Sequence, residues 1–299
     1  MRAARVRGAG WSFVAFPLAV LFLFTALPTA AGVALSLFEW GSEATPRFVG
    51  LQHYADAVRD PMLRHTLRNT LIFAGLSVPL TVLLAFPVAV ALHATWFVGR
   101  TALRTLYFLP TVISIVAIGL IWRWVLAPGE NGLLNHVLRA VPLLGLDAAE
   151  AMPDWLGNSP LGLLTLIIVS TWRNLGFAVV LYLSALGSVS QAQYDAAAVD
   201  GATPWQAMWR ITWPTVRPMT IFLLITGMIG ALQVFDIVWV MIGPHHRSWT
   251  DVLNVYLYRE FINARPGYAA MIGVVVLGAT AAVTAAQLWW LRERGEGAA

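Results

Sequence analysis

Six stretches of the chain are apolar for long enough, about 20 residues, to cross the hydrocarbon of a bilayer as helices. They run from Trp11 to Phe38, Asn69 to Leu92, Leu103 to Leu126, Leu161 to Leu186, Met219 to Ile242 and Gly267 to Leu291. Between the first two, Leu51 to Thr66 has a helix-like pattern that reads as an amphipathic segment lying in the interface. The chain divides on this pattern into an N-terminal helix with its external segment (1–66), a five-helix core (67–291) and a short tail (292–299). There is no internal repeat, low-complexity tract or soluble domain.

The first stretch has a rival reading. Arg2, Arg5 and Arg7 followed by an apolar run and the small residues Thr29-Ala30-Ala31 resemble a signal peptide. The run continues through Val33, Leu35, Leu37 and Phe38, long for a signal and right for a tilted span, so an uncleaved anchor is expected.

Composition sharpens this picture. Of the 299 residues 59% are hydrophobic and 11% charged, against about 25% charged in a soluble domain. A soluble enzyme, a disordered regulator and a disulfide scaffold are excluded, and an all-α integral membrane protein is the default. There is no cysteine, hence no disulfide, thiolate ligand or cysteine nucleophile. Lysine is absent too, so a standard phosphate-binding P-loop, which needs a lysine, cannot be present. The net charge of +4 and pI near 9.8 come from arginine without an aromatic-interleaved basic cluster, which points away from nucleic acid.

Arginine placement sets orientation. The N-terminus, the second-to-third and fourth-to-fifth connections and the tail hold about nine arginines in a short total length, against about eight in the longer remaining connections. Those longer connections carry Glu39, Glu43, Asp56 and Asp60 in the first, and Glu130, Asp147, Glu150 and Asp154 in the second. Both termini are therefore expected in the cytoplasm.

The connection from 187 to 218 is the most informative. Gln191 to Asp200 favours helix, with three consecutive alanines, and Gly201 sits where a left-handed residue closes a helix. Thr203, Pro204 and Gln206 then form a capping box with proline at the first helical position. Trp205, Met208, Trp209 and Thr212 share one face, and Pro214 is expected to end the second helix. Such a helical hairpin suits either packing beneath its own membrane domain or docking into a groove of another protein.

Here the residues resemble a known motif, the EAA loop of binding-protein-dependent ABC importer permeases. Its pattern is Glu-Ala-Ala, three residues, Gly, nine residues, Ile, one residue, Leu-Pro. The chain has Asp195-Ala196-Ala197, Gly201, Ile211 and Trp213-Pro214 at those spacings, with Asp for Glu and Trp for Leu. Phe48-Val49-Gly50-Leu51 with Tyr54, Arg68-Asn69-Thr70, Pro128-Gly129 with Gly132-Leu133-Leu134-Asn135, Val234-Phe235-Asp236, Gly243-Pro244 and Gly267-Tyr268-Ala269-Ala270 are similar to segments of the carbohydrate branch, in the same order.

The resemblance implies a six-span permease subunit of the maltose-transporter type in a prokaryotic inner membrane. It further implies a second, different six-span permease, two ATPase subunits holding ATP and Mg, and an extracytoplasmic solute-binding protein. The coupling hairpin would be Asp195, Ala196, Ala197, Gly201, Ala202, Thr203, Pro204, Ile211 and Pro214. The substrate would be a sugar, oligosaccharide or related polyol, and the chain itself would hold no cofactor or metal and catalyse nothing. A different class of reading is an ATP-independent carrier or channel.

Polar groups inside spans are costly and mark function or pairing. Asp236, with Gln233 three residues earlier on the same face, either lines a pathway or pairs with an arginine of another helix. Arg173, beside Trp172 and Asn174, either pairs with Asp236, touches substrate or reaches water. Trp172 and Trp239 lie deeper than the other tryptophans and serve either sugar stacking or helix packing. Arg123 reads as a snorkelling anchor and His93 as an interface residue. The adjacent His245 and His246, with Asp251 and Glu260 nearby, point in different directions and do not make a metal site unaided. No hydrolase motif is present in the spans.

Overall fold

A computed structural model describes residues 14–40, 45–94, 99–140, 153–244 and 248–296. Arg2, Arg5, Arg7, Glu43, Asp147, Glu150, His245 and His246 lie outside the described residues. Five helices are long and apolar enough to cross a membrane, and a sharply bent pair makes a sixth crossing if counted as one. The protein is therefore an all-α, multi-spanning membrane protein.

The chain forms two compact units, residues 1–63 with 256–278, and residues 64–255 with 279–299. The first unit holds α1 (Val14–Leu35), a two-residue antiparallel ladder of β1 (Phe38–Glu39) with β2 (Arg47–Phe48), α2 (Gln52–Arg59) and most of α11 (Leu253–Ile262). Helix α1 has a π turn at Phe22–Ala26 and runs on through Thr29–Ala31. Across the ladder Arg47 pairs with Glu39 at 2.8 Å and the Phe38 and Phe48 rings meet edge to face. The amphipathic stretch before the second span is a separate helix only to Arg59; Asp60 breaks it and Pro61 opens the next one.

Asp60 is the fastening point of this unit. Its Oδ2 accepts the hydroxyls of Tyr256 on α11 and Tyr268, each at 2.6 Å, and its Oδ1 accepts the Met62 amide at 2.8 Å. At Gly267 a Cβ would run into the Phe38 carbonyl oxygen, so only glycine lets these strands of chain approach.

The second unit carries α3 (Pro61–His93) from Arg64 onward, α4 (Arg100–Val112), α5 (Ile115–Val125), α6 (Leu133–Arg139), α7 (Pro160–Leu186), α8 (Gln191–Val199), α9 (Pro204–Leu232) and α10 (Asp236–Ile242). The end of α12 (Pro266–Glu296) also belongs to it, and its helix extends into the segment expected to be a tail. One apolar cluster joins Phe73, Ile118, Leu166, Val169, Ile237, Val238 and Met241. A second joins Ala85, Ala89, Val179, Tyr182, Val216 and Leu223.

Two expected spans are interrupted. Leu103 to Leu126 is α4 and α5, bent by 98° at Ile113–Ser114, which take extended angles. Met219 to Ile242 breaks after Leu232, and residues 233–235 separate α9 from α10. Hydropathy sees neither break, because the residues at both breaks are still mostly apolar. The Asn69-Thr70 pair pins a connection: Asn69 Nδ2 donates to the Ser248 and Asp251 carbonyls at 2.7 and 2.9 Å, and Thr70 Oγ1 accepts the Leu253 amide at 2.9 Å. Asn135 does the same locally, donating to Gly129 O and accepting the Trp155 indole N–H at 2.7 Å.

Burial pushes the Asp60 carboxyl up, but hydrogen bonds from Tyr256, Tyr268, Met62 and Leu63 outweigh it and hold its pKa below the ordinary value. A depressed folded pKa means its stabilisation is complete above the unfolded value and is lost as pH falls through the folded one, below about pH 4. Asp60→Ala is expected to cost about 2 kcal/mol, by removing an ionised acceptor from two hydroxyls. Thermal unfolding of the detergent-solubilised variant at neutral pH checks this, and the gap from wild type should narrow in acid.

Candidate functional site

A cavity of about 410 Å³ lies within the second unit, between α3, the start of α5, α7, the end of α9 and the start of α10. Residues of the second, third, fourth and fifth spans line it. Both chain breaks open onto it: Ile115 follows the first, and Gln233 to Asp236 form the second. Interrupted helices are tolerated in a membrane where they face a cavity, since water there satisfies the freed backbone groups. At the second break the Gln233 carbonyl also accepts the Asn254 amide side chain at 2.7 Å.

Four of the six expected pathway residues line this cavity: Arg173, Asn174, Gln233 and Asp236. They do not reach it in the expected way. Gln233 and Asp236 are not neighbours on one helix face; Gln233 ends α9 and Asp236 begins α10 after the break. Arg173 and Asp236 share the cavity without forming an ion pair. The Arg173 Nε is buried with no hydrogen-bond partner among the described residues, and its Nη1 meets only Asn174 Oδ1, at 3.4 Å.

The two tryptophans are not among the lining residues. Trp172 packs edge to face on Trp122 at 5.4 Å, and Trp239 stacks on Phe235 at 5.9 Å. Phe235 does line the cavity, with Phe73 and Phe177. Sequence reasoning also missed Ser77, Thr81, Ser170 and Thr226 on the wall. Their signal is small polar residues one turn apart, Ser77 with Thr81 and Ser170 with Asn174, which share a helix face. Gly227 brings α9 close to α3, since a Cβ there would sit 3.0 Å from Val78.

The hairpin of 187–218 is built as the residues predict, up to its end. Helix α8 closes with Gly201 at φ +78°, the Gly201 amide bonding Ala198 O at 3.1 Å and the Ala202 amide bonding Ala197 O at 2.9 Å. This pair of bonds is the Schellman closure that a left-handed residue permits. Thr203 Oγ1 accepts the Gln206 amide and Gln206 Oε1 accepts the Thr203 amide, with Pro204 at the first helical position. Tyr194 and Thr212 hydroxyls meet at 2.7 Å, tying the two arms together.

Pro214 does not end the second arm. A π-helical turn from Met208 to Thr212 precedes it, and the helix continues from Pro204 to Leu232. The wider turn relieves the clash that a proline ring makes with the carbonyl one α-turn back. Asp195, Ala196, Thr203 and Pro204 are exposed, Ala197, Ala202 and Ile211 half-buried. Among the described residues Asp195 bonds within its own helix, accepting from Gln191 Nε2 at 3.1 Å. Exposed Trp205 and Trp209 are in contact edge to face at 5.5 Å. Among the described residues no group of three His, Asp or Glu side chains is placed to hold a metal ion.

A many-span helical protein with a cavity that mixes apolar and polar lining residues and an exposed, capped hairpin is built as a transport permease. The chain belongs to the family of binding-protein-dependent transport system inner membrane components, whose model matches residues 63–292. It is a multi-pass inner-membrane protein, the permease component of an ABC importer and not an enzyme. It is 32% identical over 278 residues to a probable ABC transporter permease protein, YurN, of Bacillus subtilis, covering 91% of this chain and 92% of the relative. It is 30% identical to the lactose transport system permease protein LacF of Rhizobium radiobacter, covering 95% and 94%. A solved bacterial ABC transporter chain, involved in import of the acidic polysaccharide alginate, superposes with a TM-score of 0.78 at 26% identity, covering 98% and 99%.

Gly201 has open space where a Cβ would go, so a substitution there tests conformation alone. Gly201→Val is expected to abolish transport with expression intact, because a β-branched residue resists positive φ. Uptake assays beside quantitative membrane blots check this; normal uptake would refute the turn's role.

Proposed function

We propose that this chain is one of two different permease subunits of a maltose-transporter-type importer, and that its substrate is a sugar, oligosaccharide or related polyol. The observation that carries the substrate class is the cavity wall. Hydroxyl, amide and charged groups line it together with Phe73, Phe177 and Phe235. Polar groups match sugar hydroxyls while aromatic faces match the apolar faces of sugar rings. The volume lies in the range of small-molecule sites, about 300–1,000 Å³. The lactose and alginate systems named above support the same class.

Arg173, Asn174, Gln233 and Asp236 contact the solute, and the Arg173 Nε has a hydrogen bond to give. The hairpin through Asp195, Ala196, Ala197, Gly201, Ala202, Thr203, Pro204, Ile211 and Pro214 docks on an ATPase subunit that holds ATP and Mg. Both termini lie in the cytoplasm, on the same side as the hairpin. A solute-binding protein delivers substrate from the other side.

Pull-down of the tagged chain from its native membrane in mild detergent is expected to recover a P-loop ATPase and a second six-span chain. Recovery of this chain alone, with uptake retained in vesicles lacking ATP, would replace this reading with a carrier. Arg173→Ala and Asp236→Ala are each expected to lower uptake by roughly 10-fold or more, the loss of one hydrogen bond to a charged group. Uptake of radiolabelled lactose and maltose by cells expressing the whole system, with ATPase association measured in parallel, checks this. A fall in association rather than uptake would move these residues out of the pathway.

A further inference from the structure

The hairpin is joined to the membrane core by an unbroken line of aromatic rings. Trp205 contacts Trp209 at 5.5 Å, Trp209 contacts Trp213 at 5.8 Å, Trp213 contacts Phe86 at 5.5 Å and Phe86 contacts Tyr182 at 5.6 Å between ring centres. The line starts on the exposed face of the hairpin, where Trp205 is 70% exposed, and ends at Tyr182, which is fully buried. It passes through three helices: α9 supplies the tryptophans, α3 supplies Phe86 and α7 supplies Tyr182. The Tyr182 hydroxyl then meets Thr220 Oγ1, back on α9, at 2.8 Å.

This closes a ring. Because α9 is continuous from the hairpin into the span, a push on the hairpin reaches α9 directly. Nothing in that continuity moves α3 or α7, yet those two helices carry most of the remaining cavity wall. Direct packing of Val216 and Leu223 on α3 and α7 makes one connection, and the aromatic line adds a second, stiff one that starts on the hairpin itself. Aromatic rings suit it, since each is stiff, holds only two side-chain torsions and keeps its shape under load. The π turn at Met208–Thr212 lies between Trp205 and Trp213 and sets which face of the continuing helix Trp213 occupies.

We propose that Trp209, Trp213 and Phe86 are positioning residues that transmit movement of the hairpin to α3 and α7, so that nucleotide binding on the partner reshapes the cavity as a unit. The proposal rests on the coupling role given to the hairpin above. It adds which side chains carry the displacement once docking has occurred, and it makes Trp213, which stands where the motif usually has leucine, part of the strut.

The absence of cysteine allows a test that needs no knowledge of the substrate. Thr226 lines the cavity and takes no part in the aromatic line. Thr226→Cys is introduced into the chain, which is purified with its ATPase and partner permease and reconstituted in lipid nanodiscs. The rate at which N-ethylmaleimide modifies that cysteine is read by mass spectrometry without nucleotide and after trapping with ATP and vanadate. The rate is expected to change on trapping with the aromatic line intact and with Phe86→Tyr, which keeps the ring. With Phe86→Leu or Trp213→Leu the change is expected to vanish while the ATPase stays bound and still hydrolyses ATP. Trp209→Ala, on the exposed stretch, gives the same test should a buried substitution prevent assembly. A change that persists in the leucine and alanine variants overturns the proposal, as does loss of ATPase binding in step with the response, which would make the rings a docking surface only. No response even with the line intact would instead refute the coupling role of the hairpin.

Discussion

Hydrocarbon offers no hydrogen bonds, and the rest of this structure depends on that constraint. Every backbone group inside the membrane must find a partner within the protein or in a wetted cavity. Helices answer it along most of the chain. Where the helix stops inside the membrane domain, Ile115 just after the first break and residues 233–235 at the second line the cavity, and Asn254 donates to the Gln233 carbonyl. At the second break a side chain offsets part of the cost of interrupting the span, and both breaks lie beside the cavity.

The same need for partners shapes the connections. Asn69 and Thr70, both buried, reach across to hold 248–253, and Asn135 holds Gly129 and Trp155. Asp60 gathers two tyrosine hydroxyls and a helix N-terminus. Asn69, Thr70 and Asn135 fall within motifs that resemble the carbohydrate-branch permeases. Their physical reading is plain: short polar side chains fix loop backbone that cannot be left unpaired.

The hairpin has a different character. Its closure at Gly201 and its opening at Thr203 are local, made by bonds between residues a few positions apart. Its second arm runs without interruption into a membrane span. A stiff element continuous with a span conveys displacement rather than absorbing it, which suits a part that responds to events on another chain.

Legibility followed the range of the interactions. The apolar runs, the Schellman closure at Gly201 and the capping box at Thr203 and Gln206 could be read from residue order, because hydropathy and capping act over one span or one turn. Arg173, Asn174, Gln233 and Asp236 were visible as polar residues out of place, a property of sequence alone. What could not be read was which groups met. Trp172 turned to Trp122 on another helix rather than to the cavity, a contact between distant positions, while Trp239 stacked on Phe235 one turn earlier. Pro214 marked a helix end by local rules, yet a π turn carried the helix past it. The broken spans, the hydroxyls of Ser77, Thr81, Ser170 and Thr226 on one wall, and the line of rings from Trp205 to Tyr182 were decided only when helices packed, because each depends on what a neighbouring helix presents at that height and not on the residues next to it in the chain.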